Sequence, residues 1–375
     1  MTSISLQAGL SELEAWLDAH AEAIDTEQEL ASEILPRLGR AGVFRIGVPT
    51  NPGGTGGTIR DAIEAVAKVA EHSLAAAFVF WGQRTFIEYL LQSSNETLRT
   101  RWLAPLLSGE LAGATGLSNA MKYLSAIEPL QMKARPFHNT GDSTGAHARW
   151  TLDGGLPWIT NLRPEGFVAA AAFDHHAAEG DQVPPSIFAI PHDGAGVVRS
   201  PDLDLIALRS SNTAALHVAG TVLDDTYRIT ADAPAWLAVV RPSFLGLQCG
   251  MSIGLARRCL AAVGEAGAGS RAAVEDEAAH LGRVLDDLTH RLKDGVANGT
   301  FISTPAALFE IRIALAEVVE NAVGLEIQVV GGRGYLRGQS GTARRTREAA
   351  FVPIVTPSLV QLKNQLAQHR KALAA

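Results

Sequence analysis

Acidic side chains are missing from two stretches of this 375-residue chain: none occurs between positions 233 and 264, and none follows Glu348 to the C-terminal Ala375. A general base that takes a proton from carbon must have a pKa near working pH, so neither stretch offers a carboxylate for that task. Cysteine is also scarce. Cys249 and Cys259, ten positions apart in an expected helix, suit reduced buried thiols and exclude a disulfide framework. No apolar run reaches the roughly 18 residues of a membrane span. The N-terminus carries Glu12, Glu14 and Asp18 where an export signal would be basic and then apolar, so the expected compartment is the cytoplasm. A basic surface is lacking too: the net charge is −7 and the pI about 5.9, which excludes a nucleic-acid partner. The one dense basic cluster, Arg344-Arg345 with Arg347, reads as a solvated turn or a phosphate contact. Internal repeats and low-complexity linkers are absent.

What is present is globular. Hydrophobic residues make up 47% and charged residues 19%, and the length suggests two or three domains. From Leu6 to about Ala114 the apolar period is helical, with Leu10, Leu13, Trp16 and Leu17 on one stripe and Ile34, Leu35 and Leu38 on another. A loop that no helix can include, Asn51-Pro52-Gly53-Gly54-Thr55-Gly56-Gly57, interrupts it before a helix at 61–72. Phe78, Phe80 and Trp81 follow as core packing or as a substrate pocket. The pattern then turns to β, with runs at 150–154, 166–173, 186–190 and 214–222 divided by Gly, Pro and Asp turns. From Arg241 onward it is helical again.

Five stretches carry a resemblance. They are the 40–57 passage ending in the glycine-rich loop; Trp102-Leu103-Ala104-Pro105-Leu106-Leu107-Ser108-Gly109-Glu110; Gly116-Leu117-Ser118-Asn119; Pro157-Trp158-Ile159-Thr160-Asn161; and Gln328 to Ser358, with its Gln-x-x-Gly-Gly-x-Gly-Tyr opening. In this order they resemble the acyl-CoA dehydrogenase superfamily across nearly the whole chain. The resemblance implies an α+β fold in three parts: an N-terminal helical domain (1–114), a middle β-barrel-like domain (115–224) and a C-terminal four-helix bundle (225–375). It implies a homodimer or homotetramer, and FAD, with FMN as the alternative.

Carried over residue by residue, it nominates Leu117, Ser118, Trp158, Ile159 and Thr160 around the flavin ring. Gln328, Gly331 and Gly332 are nominated as further flavin contacts. Arg271 stands about one position from the family's Arg-x-x-Phe-Gly arginine, which binds the flavin pyrophosphate across a dimer interface. A guanidinium suits a diphosphate through bidentate contacts; an ordinary surface arginine is the other reading.

The departures concern chemistry. In the family a Glu in the Pro-Ile-Tyr-Glu-Gly-Thr loop takes the α-proton of the acyl thioester, and here Thr356 stands in its place within Pro353-Ile354-Val355-Thr356-Pro357-Ser358. Some members carry the base on the first helix of the bundle, where Phe244 aligns. Glu348 and Glu128 are the remote carboxylates that would have to fold into the site. Three functions are therefore open: a flavin-dependent dehydrogenase of a CoA or carrier-protein thioester, with an electron-transfer partner; a two-component monooxygenase fed reduced flavin by a reductase; and a non-catalytic subunit of a hetero-oligomer. The letters Gly141-Asp142-Ser143-Thr144-Gly145 fit a hydrolase nucleophile elbow, but a polar loop precedes them and a strand follows, the reverse of what the elbow needs. His138, His147, His175, His176 and His217 lack zinc-ligand spacing, and His217 is a distant candidate for proton transfer.

Overall fold

The computed structural model describes residues 3–125, 127–137, 148–175, 183–336 and 341–374. The first five helices are α1 (Ser3–Thr26), α2 (Ala31–Ala41), α3 (Ile59–His72), α4 (Leu74–Gln92) and α5 (Glu96–Ser108). Then come β1 (Ala112–Thr115), α6 (Ser118–Leu124), β2 (Lys133–Pro136), β3 (Arg149–Ile159), β4 (Phe167–His175), β5 (Ser186–Pro191), β6 (Val197–Asp202), β7 (Ala214–Asp224) and β8 (Arg228–Thr230). The chain finishes with α7 (Ala233–Gly264), α8 (Ala268–Ala272), α9 (Glu275–Ala297), α10 (Thr300–Ser303), α11 (Pro305–Val330), α12 (Thr342–Phe351) and α13 (Leu359–Ala374). Strands β2 to β7 lie within the expected 115–224, while β1 starts ahead of it and β8 lies beyond it. Contacts cut the chain elsewhere, into a helical unit (Met1–Trp81, Asp204–Ser211, Pro242–Ala375) and a β unit (Gly82–Leu203, Asn212–Arg241).

In the helical unit the expected stripe of α2 is buried at Ile34, Leu35 and Leu38, and the helix stops at Gly42 in the left-handed conformation (φ 77°). A capping box starts α3, the Thr58 hydroxyl taking the backbone and Asp61 answering to the Thr58 N–H (2.7 Å). Glycine lets α7 approach α3 closely: a Cβ on Gly254 would fall 2.0 Å from the Ala67 carbonyl oxygen. Across the same helices Glu64 accepts from Arg257 (2.6 Å), and it also pairs with Lys293 of α9. Burial opposes its ionisation, yet these two cations hold its carboxyl below the usual glutamate range.

The β unit is one eight-stranded sheet in the order β6-β7-β3-β2-β4-β5-β8, with β1 parallel to β4. Residues Phe167–Phe173 of β4 are all buried, which is why that strand reads as a continuous apolar run instead of an alternation. The long antiparallel pair β3–β7 carries two irregularities, between Leu152 and Gly154 and between Leu156 and Ile159. Both cysteines are buried and free, as expected. Among the described residues no helix is long and apolar enough to cross a membrane.

Candidate functional site

The second irregularity of β3 sets the geometry of the Trp158 segment. Burial runs in, out, out, in from Leu156 to Ile159, a break in strict alternation that a bulge permits. Trp158 is turned outward with 42% of its surface exposed, while Ile159 and Thr160 are buried. Asn161 then takes a left-handed backbone (φ 60°), one of the few that asparagine tolerates better than most side chains. Its amide donates to the Gln83 Oε1 (2.9 Å) and to the Gly113 carbonyl (2.9 Å). Gln83 in turn accepts from the Gly113 N–H (2.6 Å) and donates to the carbonyls of Leu106 and Leu111 (2.8 and 2.9 Å). A buried glutamine therefore ties α5, β1 and the end of β3 together beneath the tryptophan. Leu117 is buried at the start of α6 and Ser118 is half-buried, and Asn119 anchors the helix by donating to the Ala172 carbonyl (3.0 Å).

In the helical unit, α11 ends at Gly331, whose φ of 62° with ψ of −147° is a glycine conformation. A Cβ on Gly331 or Gly332 would meet no atom within 4 Å. Internal packing therefore does not call for glycine at Gly332, and the backbone there is open to approach from outside. Gln328 is exposed, with its amide on the Gly324 carbonyl (3.2 Å). Arg271 is exposed on the short α8 and touches the Gly264 carbonyl (3.3 Å).

Thr356 is half-buried between buried Val355 and Pro357, and its carbonyl accepts from Gln248 Nε2 (2.8 Å). Gln248 lies one turn beyond Phe244 on the same face of α7, so the helix that carries Phe244 also contacts the Thr356 backbone. Around Phe244 the side chains are aromatic. Its ring meets Trp81 edge-on (5.3 Å), Trp81 stacks on Phe78 (5.6 Å, 7°), and Phe351 packs edge-on against Phe78 (4.6 Å). Trp81 Nε1 donates to the Phe244 carbonyl (3.3 Å). Phe78, Phe80 and Trp81 are thus core residues, each almost wholly buried.

Both remote carboxylates are paired with a cation, although Glu348 Oε2 has no hydrogen-bond partner among the described residues. Glu348 is fully buried, accepts from Arg344 (2.7 Å) and from the Leu74 N–H (3.0 Å), and so pins the start of α4 to α12. Glu128 is exposed and paired with Lys122 (3.0 Å). The arginine cluster departs from both of its expected readings. Arg344 and Arg345 lie buried on a helix, one bound to Glu348 and the other gripped by Glu326, while Arg347 joins Glu22 and Asp25 (2.8 Å each). They neutralise buried acids and are neither a solvated turn nor a phosphate site. A cleft of about 620 Å³ beside them is walled by Asp18, Glu22, Glu71, His72, Arg258, Arg344 and Arg345; Asp18 and His72 are hydrogen-bonded to each other and the rest are held in ion pairs.

Residues 12–110 match the family model described as "Acyl-CoA dehydrogenase, N-terminal domain". The solved glutaryl-coenzyme A dehydrogenase–glutaryl-CoA complex superposes on 99% of this chain and 96% of its own, with a TM-score of 0.80 at 18% identity. The chain has the acyl-CoA dehydrogenase fold. That fold is shared with the dibenzothiophene monooxygenase of Paenibacillus sp. A11-2, at a TM-score of 0.73 and 13% identity over 97% of this chain and 96% of that one. In sequence, the mitochondrial isovaleryl-CoA dehydrogenase of Pongo abelii is 26% identical over 207 residues, 54% of this chain and 47% of that protein. The chain therefore spans about half the length of that relative.

On the acyl-CoA dehydrogenase fold, the β unit carries Leu117, Ser118, Trp158, Ile159 and Thr160, and the helical unit carries Arg271, Gln328, Gly331, Gly332 and Thr356. The supporting residues Gln83, Gln248, Arg312 and Glu326 were not nominated from sequence. Their partners lie 16 to 108 positions away, so no local pattern marks them. His175 sits against Ser186 (Nε2 to Oγ, 2.7 Å), its pKa lowered by burial and by Arg228, and His217 is exposed on β7. The Gly141–Gly145 letters, His138, His147 and His176 lie outside the described residues. Among the described residues no cluster of His, Cys, Asp or Glu could hold a metal.

Proposed function

We propose that this chain is a flavin-dependent oxidoreductase of the acyl-CoA dehydrogenase superfamily, acting on an acyl thioester or a related small organic substrate without a carboxylate base. One observation carries the reading. Thr356 and Phe244 stand at the two positions where the resemblance puts the family's base, Gln248 donates to the Thr356 carbonyl, and Glu348 and Glu128 are each paired with a cation. A threonine hydroxyl, unaided, does not accept a proton from carbon at neutral pH.

The residues fit a flavin. An outward-facing indole on a braced strand suits one face of the ring system, and Leu117, Ser118, Ile159 and Thr160 belong to the two segments beside it. The open backbone of Gly331 and Gly332, with Gln328 and Arg271, suits the dinucleotide portion, which the resemblance assigns to a dimer interface. FAD, or FMN in its place, supplies the redox step when bound. A homodimer or homotetramer is proposed on the same ground.

Thr356 at the position of the family's base supports oxygen transfer from reduced flavin, the two-component reading, over removal of an α-proton, which would also require an electron-transfer partner. Anaerobic titration with FAD and FMN in both redox states tests this. Tighter binding of the reduced form is expected, and binding of neither form would overturn the flavin reading. Thr356→Glu supplies the missing carboxylate, and flavin bleaching by isovaleryl-CoA should then rise by about 10²–10⁴-fold over the unaltered protein. Strong bleaching by the unaltered protein would mean that a base is present after all.

A further inference from the structure

Arg312 on α11 and Gln248 on α7 are wholly buried polar side chains that grasp each other and the same turn. A guanidinium can only donate, so Gln248 must turn Oε1 toward Arg312 Nε (3.0 Å), and its Nε2 is thereby left to donate to the Thr356 carbonyl (2.8 Å). The amide has one orientation that satisfies both neighbours. Arg312 Nη2 donates to the Val352 carbonyl (2.6 Å), at the C-terminal cap of α12, where a cation is favoured. The turn from 352 to 356 is therefore held at both ends by two side chains that also hold each other.

We propose that Arg312 and Gln248 are positioning residues that fix the conformation of Thr356, and with it the face this residue presents to a bound substrate. Only the role of Thr356 toward substrate rests on the flavin reading; the grip on the turn is read from the bonds themselves. Arg312 has no carboxylate among its hydrogen-bond partners in the described residues, its Nη1 has no partner there, and burial pushes its pKa down. A buried cation of this kind is a poor way to gain stability, since an apolar side chain of similar volume often does as well or better. What the arginine does that an apolar residue cannot is orient the Gln248 amide and hold the Val352 carbonyl.

Gln248→Glu separates positioning from packing. It keeps the acceptor for Arg312 and adds a charge partner, so thermal unfolding should stay where it is or rise, but it removes the donor to Thr356. Amide hydrogen exchange across 352–358 in the ligand-free protein should quicken by about tenfold, and the ¹³C-methyl resonance of Thr356 should move. Gln248→Ala should do the same with some loss of stability, and Arg312→Lys, which can keep one of the two bonds, should fall between. An unchanged exchange rate and methyl resonance in Gln248→Glu would overturn the proposal. So would acceleration spread equally along α7 and α11, which would mark the pair as a general pin of the bundle. Reduced-FAD titration of the unaltered protein reports separately on the flavin reading, so either idea can fail alone.

Discussion

Two buried glutamines organise the two units, and they differ in what they hold. Gln83 in the β unit is bonded to backbone groups and to Asn161, and it supports the Trp-Ile-Thr-Asn segment that carries part of the resemblance. Gln248 in the helical unit is oriented by a charged side chain and supports the segment in which, on the proposed reading, Thr356 stands in place of the family's glutamate. A scaffold that fixes backbone atoms is indifferent to the side chain displayed there. The β unit thus carries its brace together with the groups it braces, whereas the helical unit carries a brace around an exchanged group. On the proposed reading, fold and chemistry diverge in this chain because different atoms of the same residues serve them.

The comparison breaks most easily at Glu348. If that carboxylate is structural, Glu348→Ala strands Arg344 in the interior and uncaps Leu74, and should cost about 3–5 kcal/mol by denaturant unfolding. A loss under 1 kcal/mol would return it to the list of reacting groups. In the β unit, Asn161→Ala forces a methyl side chain into a left-handed backbone and leaves the Gly113 carbonyl without its donor. About 2–3 kcal/mol should be lost. Asn161→Gly should recover the backbone share, roughly 1 kcal/mol, and equal losses in the two variants would show that the amide alone matters.

The smallest effect is a slope. Burial, and then the nearby Glu348 charge, push the Asp25 carboxyl from an ordinary 3.8 up to about 6, against the Leu208 N–H and Arg347 that favour its ionised form. A raised acid binds more protons folded than unfolded, so its contribution to stability should fall as the pH rises from about 4 to 6 and then level off. Asp25→Asn should flatten that interval. A steeper fall in the variant would show that Asp25 is not the source.

Much of the fold was legible because its strands are long or continuous. β3, β4, β5 and β7 fall on the stretches expected from alternation and apolar runs. β1, β2 and β8 hold three or four residues each and β6 is half-exposed throughout, so none leaves a pattern to read. The site was legible only where residues are neighbours in sequence. Arg344 and Glu348 are four apart and readable as a helical pair, but charge density alone suggested a surface. Gln83 and Asn161 are 78 positions apart, and Gln248 and Thr356 are 108 apart, distances that only folding closes.

The bulge in β3 also has an optical consequence. Of the six tryptophans, Trp81 and Trp102 are buried, Trp16, Trp150 and Trp236 are half-buried, and Trp158 is the most exposed. Iodide in solution should extinguish its emission before that of the others. A flat ligand laid over the indole would shield it from the quencher while dimming the same red-shifted component, so the strand that presents Trp158 carries its own reporter of occupancy.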